Sequence, residues 1–279
     1  MSGGPPRIDA HLHFWRLERG DYGWLTPEMG PIHRDFLPAD AAPHLDAAGV
    51  DGVVLVQAAP SEDETRFLLS LAAREPRIRG VVGWVALDAP DAPDRLAALA
   101  ADPRLRAIRP MLQDIGETGW ILRPELRPGL EAARELGLAF DALVKPRHLE
   151  VLPRLIERHP DLAVVIDHGA KPDIAAGAFD DWAAGMAVLA SMPHVHCKLS
   201  GLVTEAGPQA GRDDLRRYVD LLLDLFGPER LIWGSDWPVC TLRCDYATWH
   251  AWARELTEHA GADAMSEIFG ANAVRFYRL

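Results

Sequence analysis

The chain has 279 residues, 48% of them hydrophobic, which is enough for a sizeable core and too few for a membrane protein. It carries 29 basic and 41 acidic residues, a net charge of −12, and has no basic cluster, which argues against nucleic acid and anionic membranes as partners. Cys197, Cys240 and Cys244 are an odd set, fitting reduced thiols in the cytoplasm rather than a disulfide framework.

No apolar run reaches the roughly 18 residues that span a bilayer, and the opening MSGGPPR has no signal-peptide pattern. No repeat, low-complexity tract or linker divides the sequence, so residues 1–279 are expected to form one domain. Short apolar runs alternate with segments rich in Ala, Leu, Arg and Glu. Eight runs predict strands: Ile8–His13, Val53–Gln57, Val81–Val85, Ala107–Leu112, Ala139–Val144, Ala163–His168, Val195–Leu199 and Leu231–Ser235. Short, continuous apolar runs are what parallel strands covered on both faces look like.

Helical segments lie between them. Ser61 and Glu64 have capping-box spacing ahead of Thr65–Arg74. Glu125–Leu136 follows Pro124 and stops at Gly137, and Pro146–His159 ends at Pro160. Arg212–Phe226 lines up Leu215, Tyr218, Leu222 and Leu225 on one face before Gly227-Pro228. Tyr246–His259 and Asp263–Tyr277 complete the set. Eight strand–helix units fit a closed (β/α)₈ TIM-like barrel or an open doubly wound sheet. The open sheet typically carries a Gly-rich nucleotide turn, which is missing here, so the barrel is expected. Long connections at 14–39, after the first strand, and at 200–211, after the seventh, would overhang the carboxyl-end mouth, or else are plain surface decoration.

The first run, IDAHLHFW, alternates Ile8, Ala10 and Leu12 with Asp9, His11 and His13. Period 2 puts the second set on one face of a strand. Two imidazoles so spaced either converge on one metal ion or are satisfied core histidines. Polar residues gather at the carboxyl ends of the other runs: Gln57, Trp84, Arg109, Gln113, Asp141, Lys145, His168, Lys198, Ser200 and Asp236. Any one could be structural. Their joint placement at the end of a barrel where active sites are built points to a catalytic cavity.

IDAHLHFW, VVIDHGAKP (164–172), VHCKLSGLVTEA (195–206), LIWGSDWPVC (231–240) and IFGANAVRFYRL (268–279) together resemble the amidohydrolase superfamily. Within it they are most similar to the branch of sugar lactonases and 2-pyrone-4,6-dicarboxylate lactonases. The resemblance implies a distorted barrel that hydrolyses a lactone. It matches His11 and His13 to the first-strand pair, His168 to the sixth-strand histidine and Asp236 to the aspartate that activates water. Binuclear members carry a carboxylated lysine or a glutamate where this chain has Arg109, so a two-metal site is not expected. One divalent ion, such as zinc on His11, His13 and Asp236, is compatible with the resemblance and is not obligatory in this branch.

These residues define a chemical expectation. Asp236 takes a proton from water that His11 and His13 position, directly or through the ion. His168, Lys198 or the ion polarises the carbonyl. Arg109, assisted by Gln113, suits a carboxylate or vicinal hydroxyls, and Asp141 is a further substrate contact. Trp15, Trp84 and Trp237 either wall the pocket against a sugar ring or simply pack the core. The expected substrate is an L-fucono- or L-rhamnono-lactone. A dicarboxylated pyrone, a zinc-dependent decarboxylation and a non-catalytic binding role are the alternatives.

Overall fold

The structure, a computed structural model, describes residues 4–279. Eight strands form one parallel sheet in sequential order: β1 (Ile8–Leu12), β2 (Gly52–Val56), β3 (Ile78–Gly83), β4 (Leu105–Ile108), β5 (Ala139–Ala142), β6 (Val164–Ile166), β7 (Val195–Leu199) and β8 (Leu231–Trp233). The seam between first and last is joined just beyond β8. There the Asp236 N–H donates to the His11 carbonyl at 2.7 Å and the His13 N–H to the Trp237 carbonyl at 2.8 Å. Gly234 makes this approach feasible, because a Cβ there would lie 2.5 Å from the His11 Cβ and 2.9 Å from its backbone nitrogen. This is the (β/α)₈ barrel expected from the alternating pattern.

Inside the barrel, Ile8, Ala10, Val54, Val82, Ala139 and Ile232 pack with Ala273 and Tyr277 of the final helix (Asn272–Tyr277). The larger core lies between the strands and the surrounding helices, where Leu68, Leu96, Leu130, Leu189 and Leu222 are buried. No helix among the described residues is long and apolar enough to cross a membrane.

Several predicted boundaries move. β3 begins at Ile78, ahead of the expected Val81, because Ile78 and Gly80 already pair with Val53 and Val54. The segment 146–159 divides into a 3₁₀ turn, Pro146–His148, and a helix, Leu152–Arg158. The terminal helix is interrupted by a π turn at Glu267–Ala271. Ser61 does cap the helix Glu62–Ala72 by accepting from the Glu64 N–H. The reciprocal half of the capping box is absent, because the Glu64 carboxylate turns to the N–H groups of Ala58 and Ala59. The 14–39 connection is compact rather than open, with Trp15 bridging to Phe36 and the Trp24 indole donating to the Ala58 carbonyl at 2.7 Å.

Candidate active site

β1 does not alternate simply. Its register with β2 shifts between Asp9 and Leu12, and the three polar side chains separate. Asp9 accepts from the Ser235 N–H at 2.8 Å and the Tyr246 hydroxyl at 3.1 Å, away from the other two, and serves the seam. His11 and His13 instead converge on Asp236, with its Oδ1 lying 3.7 Å from His11 Nε2 and 3.2 Å from His13 Nε2. His168 Nε2 is 4.0 Å from the same oxygen. One carboxylate oxygen, placed after β8, therefore faces two imidazoles from β1 on one side and a third from beyond β6 on the other.

Unusual backbone holds two of these groups. Asp236 has φ 57°, and His168 to Lys171 all lie in the left-handed region. For residues other than glycine this conformation is costly, of order 1–3 kcal/mol each, and it clusters at functional sites. The turn aims the His168 ring so that Nδ1 meets Ser200 Oγ at 2.8 Å. Gly201, at φ 65°, leaves room for that ring, since a Cβ there would lie 2.5 Å from Nδ1.

A layer of charge lies under the imidazoles. Lys198 donates to Asp141 Oδ2 at 2.6 Å and pairs with Asp167 Oδ1 at 3.0 Å, with His11 Nδ1 at 3.1 Å. Arg109 Nη1 lies 3.3 Å from Asp167 Oδ2 and 3.4 Å from His11 Nε2, while Nη2 donates to the Gln57 carbonyl. Exposure separates the two layers. His11, Asp141, Asp167 and Lys198 are 0% exposed, whereas His13, His168, Arg109 and Asp236 retain 3–4%. Only the second group presents atoms to the mouth.

Burial pushes the Asp236 carboxyl up, but the three imidazoles outweigh it and hold the group below the carboxylate range, so it is ionised. His168 is lowered to about 4, chiefly by burial against the opposing pull of Asp236, and is neutral. Burial also pushes Asp167 up, and Lys198 and His11 reverse this to leave it well below the usual value.

The donor set fits a cation. His13 Nδ1 lies 2.8 Å from the Val56 carbonyl, which only accepts, so that nitrogen carries the proton. The ring's Nε2 faces the acceptor-only Oδ1 of Asp236 at 3.2 Å, a contact that a shared proton or a cation between the two atoms satisfies. Within the buried cluster three carboxylates, Asp141, Asp167 and Asp236, face two fixed cations, Arg109 and Lys198. His11, His13 and Asp236 present ligand atoms mutually within 4.8 Å, and so do His11, Asp167 and His168. Asp167 of the second trio also serves Lys198 and Arg109, and His11, common to both trios, meets the same two cations.

Not every expected site residue joins the centre. Asp141 is sealed by Lys198 and the Tyr277 hydroxyl, out of reach of a substrate. Lys198 is sealed with it and supports the imidazoles from below. Trp237 packs edge-on against Phe36 and Phe14 in the outer core. Trp15 is buried, stacks 6.3 Å from the His13 ring and donates to the Arg34 carbonyl, so it braces that ring. Gln113 reaches only Asp114, and Trp84 is half-buried, its backbone N–H bound by Thr65. Asp167, Ser200 and Tyr277 are supporting residues whose roles sequence reasoning did not assign. Asp167 stood in plain view beside His168, in the quoted VVIDHGAKP segment.

Strand-end histidines and an aspartate converging at one end of a (β/α)₈ barrel define a hydrolase-type centre. The amidohydrolase family model matches residues 8–279, and the chain belongs to that family. It is 48% identical over 277 residues to an L-fucono-1,5-lactonase of Burkholderia ambifaria, covering 98% of this chain and 96% of the relative. An L-fucono-1,5-lactonase of Burkholderia multivorans is 38% identical over 288 residues, covering 99% and 97%. Among solved structures, a Burkholderia multivorans amidohydrolase with bound zinc superposes with a TM-score of 0.92 at 38% identity, over 98% of this chain and 99% of that one.

Proposed function

We propose that the protein hydrolyses a sugar acid lactone of the L-fucono- or L-rhamnono-lactone type. The observation that carries this reading is the convergence of one ionised carboxylate on three imidazoles, two of which, His13 and His168, reach the mouth with it. Lactonase relatives of nearly full length support the substrate class.

Asp236 takes a proton from a water held between it and the β1 histidines, and the water oxygen adds to the lactone carbonyl. In this reading the Ser200 hydroxyl donates to His168 Nδ1, the ring carries its proton on Nε2, and Nε2–H donates to the developing oxyanion. The Arg109 guanidinium, slightly exposed at the mouth, adds positive charge on the same side. The ring C–O bond then breaks, the departing oxygen takes the proton from Asp236, and a hydroxy acid leaves. His11, His13 and Asp236 would hold a divalent ion such as zinc, which supplies Lewis acidity and a lowered pKa for bound water.

A surface cavity of about 830 Å³, lined by Lys145, Lys171, Phe179 and Glu205 among others, opens beyond the ends of the fifth to seventh strands and does not itself include His11, His13, Arg109, His168 or Asp236. Lys198 is committed to Asp141 and Asp167, so the centre itself offers Arg109 to an anionic substituent, with Lys145, Arg147 and Lys171 along the adjoining cavity.

A panel of lactones read with a pH indicator tests the substrate, and turnover confined to the pyrone would reverse the ranking. Asp236→Asn tests the base. Loss of a general base lowers kcat by about 10²–10⁴, and retention of near wild-type turnover would exclude the role.

A further inference from the structure

Tyr277 ends the final helix, on the opposite side of the barrel from the mouth. Its ring fills the apolar interior beside Ile8, Val54, Val82 and Ala139, a task phenylalanine would do equally well. Its hydroxyl nevertheless reaches both oxygens of Asp141, at 2.9 and 3.1 Å. Burial and the neighbouring carboxylate push that hydroxyl well above the usual tyrosine range, so it keeps its proton and donates. Among the described residues, the polar partners of the Asp141 carboxylate are Tyr277 and Lys198. Lys198 in turn meets Asp167 and His11 Nδ1. A continuous chain of close polar contacts thus runs from the C-terminal helix to the imidazole facing Asp236.

We infer that Tyr277 is a positioning residue of the catalytic centre, its hydroxyl fixing Asp141, Asp141 fixing Lys198, and Lys198 setting the His11 ring and Asp167. The hydroxyl's hydrogen-bond partner among the described residues is Asp141, and the Lys198 ammonium also lies 5.5 Å over the ring, so the side chain backs both members of that pair. Every link is fully buried, so water cannot replace a lost donor. Without the O–H, Asp141 is held from one side only. Lys198 then has no fixed anchor on the side away from His11, and the imidazole loses its backing.

The kinetic part rests on the proposed lactone hydrolysis. Tyr277→Phe keeps the ring and removes the donor. The expected result is a kcat lowered about tenfold or more with KM within about twofold, since sub-ångström displacement of a catalytic group slows chemistry while leaving binding nearly intact. Ring ¹H–¹⁵N resonances of His11 should move, while those of His44, on the outer helix Pro38–Ala48, stay in place. In an Asp141→Asn background, which shows the same split between kcat and KM, adding Tyr277→Phe should cost no more than about twofold, because the hydroxyl acts through Asp141. Unchanged kcat and unchanged His11 resonances, with only a lower Tm, would overturn the inference. So would a full multiplicative loss in the double variant. Should Tyr277→Phe not fold, 3-fluorotyrosine at position 277, which keeps the ring and alters the donor strength of the hydroxyl, takes its place with the same kcat, KM and His11 readouts, and no change in kcat or in the His11 resonances overturns the inference. The resonance shift also tests the relay if the wild-type protein opens no lactone, so failure of the substrate reading is distinguishable.

Discussion

Gly201→Ala places one methyl group where the structure has no room for it. Its Cβ would lie 2.5, 2.6 and 3.0 Å from the Nδ1, Cγ and Cβ of His168, against about 3.4 Å for an ordinary contact. The ring must therefore retreat by about 1 Å, and the 2.8 Å contact of Nδ1 with Ser200 is broken. A displacement of this size at a catalytic group can lower kcat about 100-fold. Stability falls as well: the left-handed conformation at φ 65° costs alanine about 1–2 kcal/mol and the overpacking about 1–3 kcal/mol more. Gly20 supplies the control, since it has φ 70° with nothing within 4 Å of its Cβ position. Gly20→Ala should show the backbone cost alone, with unchanged turnover. Lactone hydrolysis followed with a pH indicator, together with thermal melts of both variants, separates the two contributions. A Gly201→Ala enzyme with kcat within twofold of wild type would refute the argument that Gly201 makes room for the His168 ring.

Lys198→Met leaves Asp141 and Asp167 buried without their shared cation and should destabilise the fold by about 3–5 kcal/mol, whereas Lys145→Met on the exposed loop should change stability by less than about 0.5 kcal/mol; equal Tm values would contradict this. Glu64, pushed up to about 8 chiefly by burial, has a folded pKa above its unfolded one, so its contribution to stability is present below about pH 4.5 and is lost as pH rises through 8. Glu64→Gln does not titrate, and its Tm should therefore gain on wild type between pH 5 and 8; a constant difference would show that Glu64 is not the source. Zinc added to chelator-treated protein at about 100 times its Kd should stabilise it by about 2.7 kcal/mol. Absence of a Tm rise, checked by metal analysis and in His13→Ala, would show that the cage does not hold the ion.

Much of the site was legible because its signals are local. His11 and His13 stand on one short apolar run, and His168 and Asp236 directly follow others, so strand detection alone brings them to one end of a barrel. The identity of each strand's partner also follows from alternation with helices, since parallel neighbours in a closed barrel come in chain order. Orientation was not legible. Strands buried on both faces carry no polar–apolar contrast to say which side looks inward, so Asp9 read as a companion of His11 and turned out to hold the seam through Ser235 and Tyr246. Trp237 could be read as a pocket wall or as core for the same reason, and it packs in the core against Phe36.

Strand–helix alternation, the lack of a Gly-rich nucleotide turn and the polar residues at the run ends pointed from the sequence to a parallel eight-stranded barrel with an imidazole-and-carboxylate centre at its carboxyl end. Only tertiary structure decided which charged groups face the substrate and which support them. Asp141, Lys198 and Tyr277 lie far apart in the chain, and nothing local distinguishes a lysine that will meet a substrate from one that will be sealed between two carboxylates. That distinction arises when the barrel closes, because closure sets the depth of each side chain and so the water left to screen its charge.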